Sequence, residues 1–330
     1  MVLFMNNNEE IIKLLKKKED FISGAEIANT LKITRTAVWK RINFLRNTGY
    51  IIDASTRKGY KLLKSPDLSI EEIKSAILGQ SNIIGKDIIF FDTIESTNTY
   101  AMKLADTGCP EGTVIIADAQ TGGKGRLGRK WLSPHGKNLY MSVVLKPAIP
   151  PKDASLLTLM SAVACASAIK QVSSLHVSIK WPNDIMTCNK KLGGILTEIK
   201  ADMDRIFHAV IGIGININLD INDIPDEIRT TATSIKIEQD IAAFSRSIVT
   251  AEIIKELDRW YSIFLQNRRK AIIKEWLKLS STIGRVVKVT VGANTFTGIA
   301  ETIDEEGMLI LRLSDNTTKK ISAGDVTILR

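Results

Sequence analysis

The chain has 330 residues, of which 44% are hydrophobic and 25% charged, and its formal net charge is +9. This length predicts about two or three domains, and the composition is that of a globular protein. The sequence has no basic n-region with an adequate h-region and no uninterrupted apolar run of ~20 residues. We therefore expect no secretory signal, no membrane partner and a cytoplasmic location.

The positive charge is concentrated at the start of the chain. Residues 1–65 contain 13 Lys and Arg against 6 Asp and Glu, whereas the remaining residues contain 32 against 30. Such an asymmetry is typical of a nucleic-acid-binding module.

Cysteines are few and far apart. Cys109, Cys165 and Cys188 are an odd number without paired spacing. This pattern argues against a disulfide framework or a zinc site and fits a reducing compartment.

The first part of the chain shows the pattern of a helix-turn-helix. Residues 9–18 fit a short amphipathic helix whose inner face carries Ile11, Ile12, Leu14 and Leu15. Ser23 with Glu26, three residues later, is the signature of a capping box before a second helix. Thr34 can cap a third helix, and Gly49 stands where a C-terminal glycine belongs.

The third helix is the candidate DNA-recognition helix. Val38, Ile42 and Leu45 recur at helical spacing and predict its buried face. Residues 50–63 read as two strands joined by a basic turn, the wing. A lysine-rich face alone is ordinary solvated surface, but the turn, cap, wing and charge asymmetry together favour a winged helix-turn-helix. The predicted DNA-binding residues are Ser23, Thr34, Arg35, Thr36, Trp39, Lys40, Asn43, Arg57 and Lys58.

A linker and a polar triplet follow. Ser65-Pro66-Asp67 breaks the pattern, and Ser69 with Glu72 repeats the capping-box signature before a helix over 70–78. A strand then leads to Ser96-Thr97-Asn98 at the start of another helix. Hydroxyl and amide side chains at such a junction serve either as caps or as ligand contacts, and the sequence leaves both open.

Residues 120–131, the basic loop, combine glycines with cationic side chains and end in Trp131. Such a loop is either a mobile basic surface or an anion-binding segment whose N–H groups approach the ligand closely. It lacks the Gly-Lys-Ser/Thr ending of a Walker loop. The residues concerned are Gly122, Gly123, Gly125 and Gly128 with Lys124, Arg126, Arg129 and Lys130.

A second segment favours a phosphate site. Lys180-Trp181-Pro182-Asn183-Asp184 is followed by Lys191-Leu192-Gly193-Gly194-Ile195-Leu196-Thr197-Glu198. Lysine acts as a point charge toward phosphate, and hard cations prefer carboxylate oxygens, so this composition suits a polyphosphate with magnesium.

The rest of the chain predicts an α+β middle domain and a β-rich end. Residues 210–217 are almost continuously apolar, which indicates a central strand. We expect an irregular loop over 218–240, a long helix over 244–266 and an end to the domain near Lys278. From residue 283 onward, short strand-like runs predict a small SH3-like barrel.

Four of these segments, in this order, resemble biotin protein ligases. They read ADAQTGGKGRLGRKW (117–131), KWPND (180–184), KLGGILTE (191–198) and GIGININ (212–218). With its N-terminal segment, the chain is similar to the bifunctional type, biotin ligase and biotin-operon repressor in one polypeptide. The resemblance covers essentially the whole chain. It implies an α+β multidomain fold: a winged helix-turn-helix over 1–65, a biotin/lipoate-ligase-like catalytic domain over 66–279 and an SH3-like domain over 280–330.

The resemblance also implies a two-step reaction. The biotin carboxylate attacks the α-phosphate of ATP to give biotinyl-5′-adenylate and pyrophosphate, and an acceptor lysine then attacks the mixed anhydride. No enzyme nucleophile is needed, which suits a chain without a Ser-His-Asp signature. The enzyme instead positions the reactants and stabilises the developing charge electrostatically, with Mg²⁺ shielding the phosphates.

Residue roles follow from the same resemblance. Lys191 and Arg126 are the predicted catalytic residues, and Asp184 is the predicted magnesium ligand. The predicted biotin contacts are Ser96, Thr97, Asn98, Gln120, Gly123, Lys124, Gly125, Arg126 and Lys191. The predicted nucleotide contacts are Arg129, Trp131, Lys180, Asn183, Asp184 and Asn216.

One position departs from the family pattern. The loop of the family commonly reads G-R-G-R, whereas Lys124 stands at the first basic position here. Lysine keeps the charge but loses the bidentate fork of arginine, so we expect weaker retention of the adenylate.

The expected partners are a biotin carboxyl carrier protein or another biotin-accepting domain, and operator DNA upstream of biotin genes. A homodimer is expected when the adenylate is bound. Three alternatives stay open: a DNA-binding biotin sensor with vestigial ligation, a lipoate-type ligase, and a ligase whose winged domain no longer binds DNA.

Overall fold

The computed structural model describes residues 7–329, so residues 1–6 of the predicted domain 1–65 and residue 330 of the predicted domain 280–330 lie outside it. The chain divides into two compact units, residues 1–80 with 245–251 and residues 81–244 with 252–330.

Three helices form the core of the first unit: α1 (Asn7–Lys18), α2 (Gly24–Leu31) and α3 (Arg35–Asn47). Ser23 caps α2 and Thr34 caps α3, each hydroxyl accepting a backbone N–H at 3.1 Å. Gly49, just after α3, has a φ of 96°, which favours glycine. The predicted inner faces are confirmed: the fully buried residues include Ile11, Ile12, Val38, Ile42 and Leu45.

The wing consists of β1 (Ile51–Ser55) and β2 (Gly59–Lys64), which pair antiparallel as predicted. Backbone hydrogen bonds in both directions between Ile22 and Tyr60, each 2.9 Å long, tie β2 to the segment before α2. Gly59 lies at this junction with a φ of 104°, and a Cβ there would be 2.1 Å from the carbonyl oxygen of Ile22. The wing therefore requires glycine at this position.

In each of the two predicted capping boxes, only the hydrogen bond to the serine hydroxyl forms. Ser69 caps α4 (Ile70–Ile77) as Ser23 caps α2. The carboxylates of Glu26 and Glu72, however, accept from Lys18 and Lys16 of α1. A cation brought in by tertiary packing thus replaces the local backbone N–H as the glutamate's partner.

The helix α4 packs on α1 within the first unit, although it follows the predicted linker. The hydroxyl groups of Tyr50 and Ser69 are 3.0 Å apart, and burial raises the pKa of Tyr50 well above its ordinary value. The domain boundaries at residues 65 and 279 stay predictions.

A seven-stranded sheet organises the second unit, with strand order β3-β4-β5-β9-β8-β7-β6. Only the β3–β4 pair is parallel. The central place of β9 confirms the reading of its apolar run, while β7 was not predicted. The strands are β3 (Ile88–Ile94), β4 (Val114–Gln120), β5 (Leu139–Leu145), β6 (Val177–Lys180), β7 (Asp184–Thr187), β8 (Lys190–Ala201) and β9 (Ile206–Ile215).

Five further helices follow α4: α5 (Thr97–Asp106), α6 (Ala154–Ser173), α7 (Ile235–Gln239), α8 (Arg246–Leu265) and α9 (Arg269–Leu279). Residues 246–251 of α8 belong to the first unit and the rest of these helices to the second. The helix α5 packs on β4, β5 and β9, whereas α6 packs on β6, β7, β8 and α9. The span Pro151–Ser173 is long and apolar enough to cross a membrane, but 67% of its most apolar window is buried inside the protein. It is the core helix of this unit.

The loop expected over 218–240 is only partly irregular. It contains short 3₁₀ turns at Ile221–Asp223 and Asp226–Ile228 and ends in α7. Ser234 caps α7 by accepting the N–H of Ile237 at 3.1 Å, and this cap was not predicted.

The chain ends in the predicted SH3-like domain. Its five strands pair antiparallel in the order β13-β12-β11-β10-β14 around buried aliphatic side chains. They are β10 (Val286–Val291), β11 (Asn294–Ile303), β12 (Leu309–Leu313), β13 (Thr318–Ile321) and β14 (Asp325–Ile328).

Replacing Gly59 with alanine is expected to loosen the wing, because the new Cβ meets the Ile22 backbone and the positive φ disfavours a side chain. We expect faster amide hydrogen exchange over residues 51–64 in the full chain, equivalent to a decrease of roughly 1–3 kcal/mol in the free energy of local opening. Gly24→Ala is the matched control, since its Cβ would lie 3.4 Å from Tyr60 in ordinary contact. Equal protection in both variants contradicts the steric argument.

Candidate active site

One cleft in the second unit, about 1240 Å³ in volume, brings the predicted ligand residues together. All fifteen side chains or glycines assigned above to biotin or nucleotide line it. They come from the start of α5, the basic loop, the β6–β7 turn, the start of β8 and the end of β9. The placement is a structural finding, whereas the individual roles stay predictions.

The basic loop closes on itself by backbone hydrogen bonds. The N–H of Trp131 donates to Gly123 O at 2.9 Å, and the N–H of Gly125 donates to Arg129 O at 2.7 Å. A Cβ on Gly123 would lie 2.6 Å from both Trp131 O and Ser133 Oγ. Glycine is thus required at this position by close packing.

The tip of the loop is a short 3₁₀ turn, Arg126–Gly128. Leu127 at this tip has a φ of 56° and is 74% exposed. A large apolar side chain is thus held out to solvent, on a backbone in the left-handed region, at the exposed tip of the loop.

One end of the cleft is cationic. Asp184, at the start of β7, accepts from Lys191 Nζ at 2.5 Å and from Lys180 Nζ at 3.1 Å. Burial works to raise the pKa of Asp184, but the two ammonium groups outweigh it and hold that pKa below its ordinary value. One carboxylate therefore orients both lysines toward the cleft.

The two loop arginines reach this end as well. Arg126 Nη1 lies 3.2 Å from Asn183 Oδ1 and 3.4 Å from Gly324 O. Burial lowers the pKa of Arg126, although Asp325 and Asp184 oppose that shift. Arg129 forms an ion pair with Asp325. We call Arg126, Arg129, Lys180 and Lys191, with Asp184 between the lysines, the cationic end.

Trp131 rests on bare backbone. A Cβ on Gly214 would lie 2.6 Å from its indole Cε2 and Nε1, and Gly194 lies beneath the same ring. Lys191 Nζ is 5.6 Å from the ring centroid, within the range of a cation–π contact. The buried Trp131 Nε1 has no hydrogen-bond partner among the described residues, so it is a donor available to a ligand.

Asn216, predicted to border the adenine, uses its amide within the protein. Its Nδ2 donates to Thr233 O at 2.9 Å, and its Oδ1 accepts from Asn138 Nδ2 at 3.3 Å. These bonds fix the end of β9 to the loop before α7.

The other end of the cleft is polar and carries little charge. Ser96 caps α5, and the N–H of Thr97 donates to Gln120 Oε1 at 2.9 Å. Gln120 Nε2 in turn donates to Ser133 Oγ at 3.1 Å. The cap reading of the triplet is confirmed for Ser96. All three residues line the cleft, and their contact with a ligand stays a prediction. We call Ser96, Thr97, Asn98, Gln120 and Ser133 the polar end.

Several residues near the site were not predicted. Ser133 belongs to the network above, and Gly324 and Asp325 of the SH3-like domain reach the loop arginines from almost 200 residues away in sequence. His135 Nε2 lies 2.8 Å from Asp118 Oδ2 and 3.0 Å from Asp92 Oδ1, and the hydrogen bond from His135 lowers the pKa of Asp92. Their spacing in sequence carries no signal of these contacts.

The predicted DNA-binding residues lie in the first unit. Arg35, Thr36, Lys40, Arg57 and Lys58 are exposed, Trp39 is 55% exposed, and Asn43 is half-buried. The hydroxyls of Ser23 and Thr34 serve as helix caps. The outward face of α3 and the wing turn thus present cations and hydrogen-bond donors to solvent, as a major-groove reader requires.

The chain matches three families of known domains. Residues 90–216 match the biotin/lipoate A/B protein ligase family, residues 7–61 an HTH domain, and residues 282–329 the biotin protein ligase C terminal domain. The bifunctional ligase/repressor BirA of Bacillus subtilis is 38% identical over 322 residues, which cover 97% of this chain and 98% of the relative. BirA of Escherichia coli is 31% identical over 326 residues, covering 98% of each chain.

Solved structures agree with these matches. The biotin protein ligase from Aquifex aeolicus in complex with biotin and ATP has a TM-score of 0.63 and 29% identity to this chain. The alignment covers 74% of this chain and 99% of that one.

Replacing Asp184 with asparagine removes the anion between Lys180 and Lys191. Because the folded-state pKa of Asp184 lies below the ordinary 3.8, its contribution is complete above that pH and is lost as the pH falls through the folded pKa. Asp184→Asn should therefore lower the free energy of unfolding by roughly 1–3 kcal/mol at pH 7, and the difference from wild type should shrink below pH ~4.

Urea denaturation followed by tryptophan fluorescence at pH 7, 5, 4 and 3 measures this difference. Asp226→Asn is the control, because Asp226 pairs with Arg229 at the exposed surface. If Asp184→Asn lowers the free energy of unfolding by the same amount at every pH, the ionic explanation is wrong.

Proposed function

We propose that this chain, which belongs to the family of bifunctional ligase/repressors within the biotin/lipoate A/B protein ligases, is an ATP-dependent biotin protein ligase that also represses transcription of biotin genes. The observation that carries the proposal is the single cleft in which a polar end and a cationic end face the same space. A biotin head group needs the first kind of surface and a triphosphate the second.

The chemistry joins the two ends. The biotin carboxylate attacks the α-phosphate of ATP, pyrophosphate leaves, and biotinyl-5′-adenylate forms. A lysine amine of the acceptor then attacks the acyl carbon and releases AMP. Both steps develop negative charge on oxygen atoms, which pre-oriented cations stabilise without reorganisation.

The residues divide these tasks. Thr97, Asn98 and Gln120 would hold the ureido ring, with Ser96, Gly123, Lys124 and Gly125 folding around the biotin. Lys191 would lie between the biotin carboxylate and the α-phosphate, with Arg126 beside it. Its ion pair with Asp184 and its place beside Trp131 hold the ammonium group in this region. Arg129, Lys180 and Asn183 would serve the phosphates, and Trp131 and Asn216 would border the adenine.

Magnesium fits this site through Asp184. Mg²⁺ is commonly bound by one or two carboxylates together with substrate phosphates, and Asp184 is the one carboxylate between the two lysines. Asp184 would hold the ion together with oxygens of the bound phosphates. When bound, the ion would shield charge on the phosphates.

Repression would use the adenylate as corepressor. The exposed tip of the basic loop would become ordered over the adenylate, and this ordering would favour a homodimer. The dimer would place two winged domains on palindromic operator DNA in the cytoplasm. A biotin carboxyl carrier protein, or another biotin-accepting domain, would compete for the same surface. Sedimentation that is unchanged by biotin plus ATP would disprove this coupling.

Lys191→Ala is expected to lower the rate of adenylate formation by about 100-fold or more, because it removes the cation at the reacting centre. Biotin-dependent ATP–pyrophosphate exchange measures the first step, and a streptavidin blot of an acceptor domain measures both. Lys190→Ala is the matched control, since Lys190 precedes it on β8 but does not line the cleft. Equal activity of the two variants would remove Lys191 from the proposed centre.

Mobility shift on DNA upstream of the organism's own biotin genes tests the repressor. We expect binding to strengthen when biotin and ATP are both present. Lys40→Ala should weaken binding and, if Lys40 contacts phosphate, reduce the slope of log affinity against log salt by about one. Lys61→Ala, in a lysine paired with Asp20, serves as control. If the chain is an active ligase but shifts no DNA under any condition, the repressor part of the proposal is wrong and only the ligase part is supported.

A further inference from the structure

Asn98 is held from both sides by residues that lie outside the predicted site. Its Nδ2 donates to Glu198 Oε2 at 2.8 Å and to Leu196 O at 3.3 Å. On the opposite side, Asn98 Oδ1 lies 2.6 Å from the hydroxyl oxygen of Ser142, which is completely buried.

The amide also lies flat against the central strand β9. A Cβ on Gly212 would lie 2.2 Å from Asn98 Oδ1, so the side chain occupies the space that any larger residue would need. Packing thus fixes where the amide lies. It does not decide which end carries the oxygen, because the two ends of an amide have nearly the same shape.

Two acceptors on the same side, the Glu198 carboxylate and Leu196 O, decide that orientation, and Glu198 accepts over the shorter distance. A carboxylate only accepts hydrogen bonds, so the Asn98 NH₂ group must face it and the oxygen must face Ser142. Turning the amide over would place its oxygen against the carboxylate and leave a buried repulsion.

The orientation is transmitted to Thr97. An amide oxygen cannot donate, so Ser142 is the donor toward Asn98 Oδ1. The same Ser142 hydroxyl also donates to Thr97 Oγ1 at 2.8 Å, so Thr97 cannot donate to Ser142. The Thr97 hydroxyl instead donates to Gln120 Oε1 at 3.2 Å, and its proton is therefore used inside the protein. Toward the cleft, Thr97 Oγ1 therefore offers a lone pair, which can accept a hydrogen bond.

We propose that Glu198 is a positioning residue for biotin: through Asn98 and Ser142 it makes Thr97 present a hydrogen-bond acceptor to the ligand. An acceptor suits the N–H groups of a cyclic urea. Glu198 itself does not line the cleft, so it acts only through these neighbours. The inference rests on the proposed function, because it assigns the polar end to the ureido ring.

The test compares Glu198→Ala, Glu198→Gln and the control Lys200→Ala in the full chain. Lys200 lies two residues along β8, on the same face, and pairs with Asp106 outside the network. Isothermal titration with biotin gives the dissociation constant, and ATP–pyrophosphate exchange gives KM for biotin and for ATP separately.

Glu198→Ala should weaken biotin binding roughly 10- to 100-fold, as expected when a hydrogen bond to a charged group is lost. KM for ATP should stay the same, because the cationic end does not depend on Asn98. Glu198→Gln should recover affinity to within about threefold, since its amide oxygen can still accept from Asn98. Lys200→Ala should bind as wild type does.

A double-mutant cycle with Ser142→Ala tests the transmission. If Glu198 acts through Ser142, the double variant should lose little more affinity than either single variant. Additive losses would overturn the relay, and so would a Glu198→Gln variant as weak as Glu198→Ala. Parallel changes in both KM values would reduce Glu198 to a general structural residue. A wild-type chain that binds no biotin would instead refute the proposed function.

Discussion

The site depends on the bare backbone of two paired strands, β8 and β9. Gly194, Gly212 and Gly214 carry no side chains where these strands border the cleft, and larger groups from elsewhere in the chain fill that space. Asn98 lies against Gly212, and Trp131 lies against Gly214. A methyl group at either of these two glycines would collide with the side chain above it. The polar end and the wall beside Lys191 thus both depend on glycines that carry no side chain.

Charge is separated along the cleft. Four cations and the carboxylates of Asp184 and Asp325 meet at one end, while hydroxyl and amide groups form a continuous hydrogen-bonded chain at the other. The separation suits a reaction that joins a neutral head group, through its carboxylate, to a polyphosphate. In the proposed reaction no enzyme nucleophile is needed, since pre-oriented cations would stabilise the developing charge directly.

Local signals in the sequence were reliable where the interaction itself is local. The caps at Ser23, Thr34 and Ser69 and the apolar run of β9 formed as predicted. The glutamate halves of the capping boxes did not form, because lysines of α1 compete for the same carboxylates. The four-residue strand β7 was missed for a related reason: its pairing with β6 and β8 stabilises it more than any pattern within it.

The sequence by itself determined most of the secondary-structure types, the winged and SH3-like ends, and a set of residues that line one cleft, because motif order and periodicity are properties of neighbours along the chain. Tertiary structure decided which groups those residues meet. The ion pair of Arg129 with Asp325 and the bond from Asn98 to Glu198 join positions about 200 and 100 residues apart. A hydrogen bond depends on distance and direction in space, and separation along the chain does not specify either one.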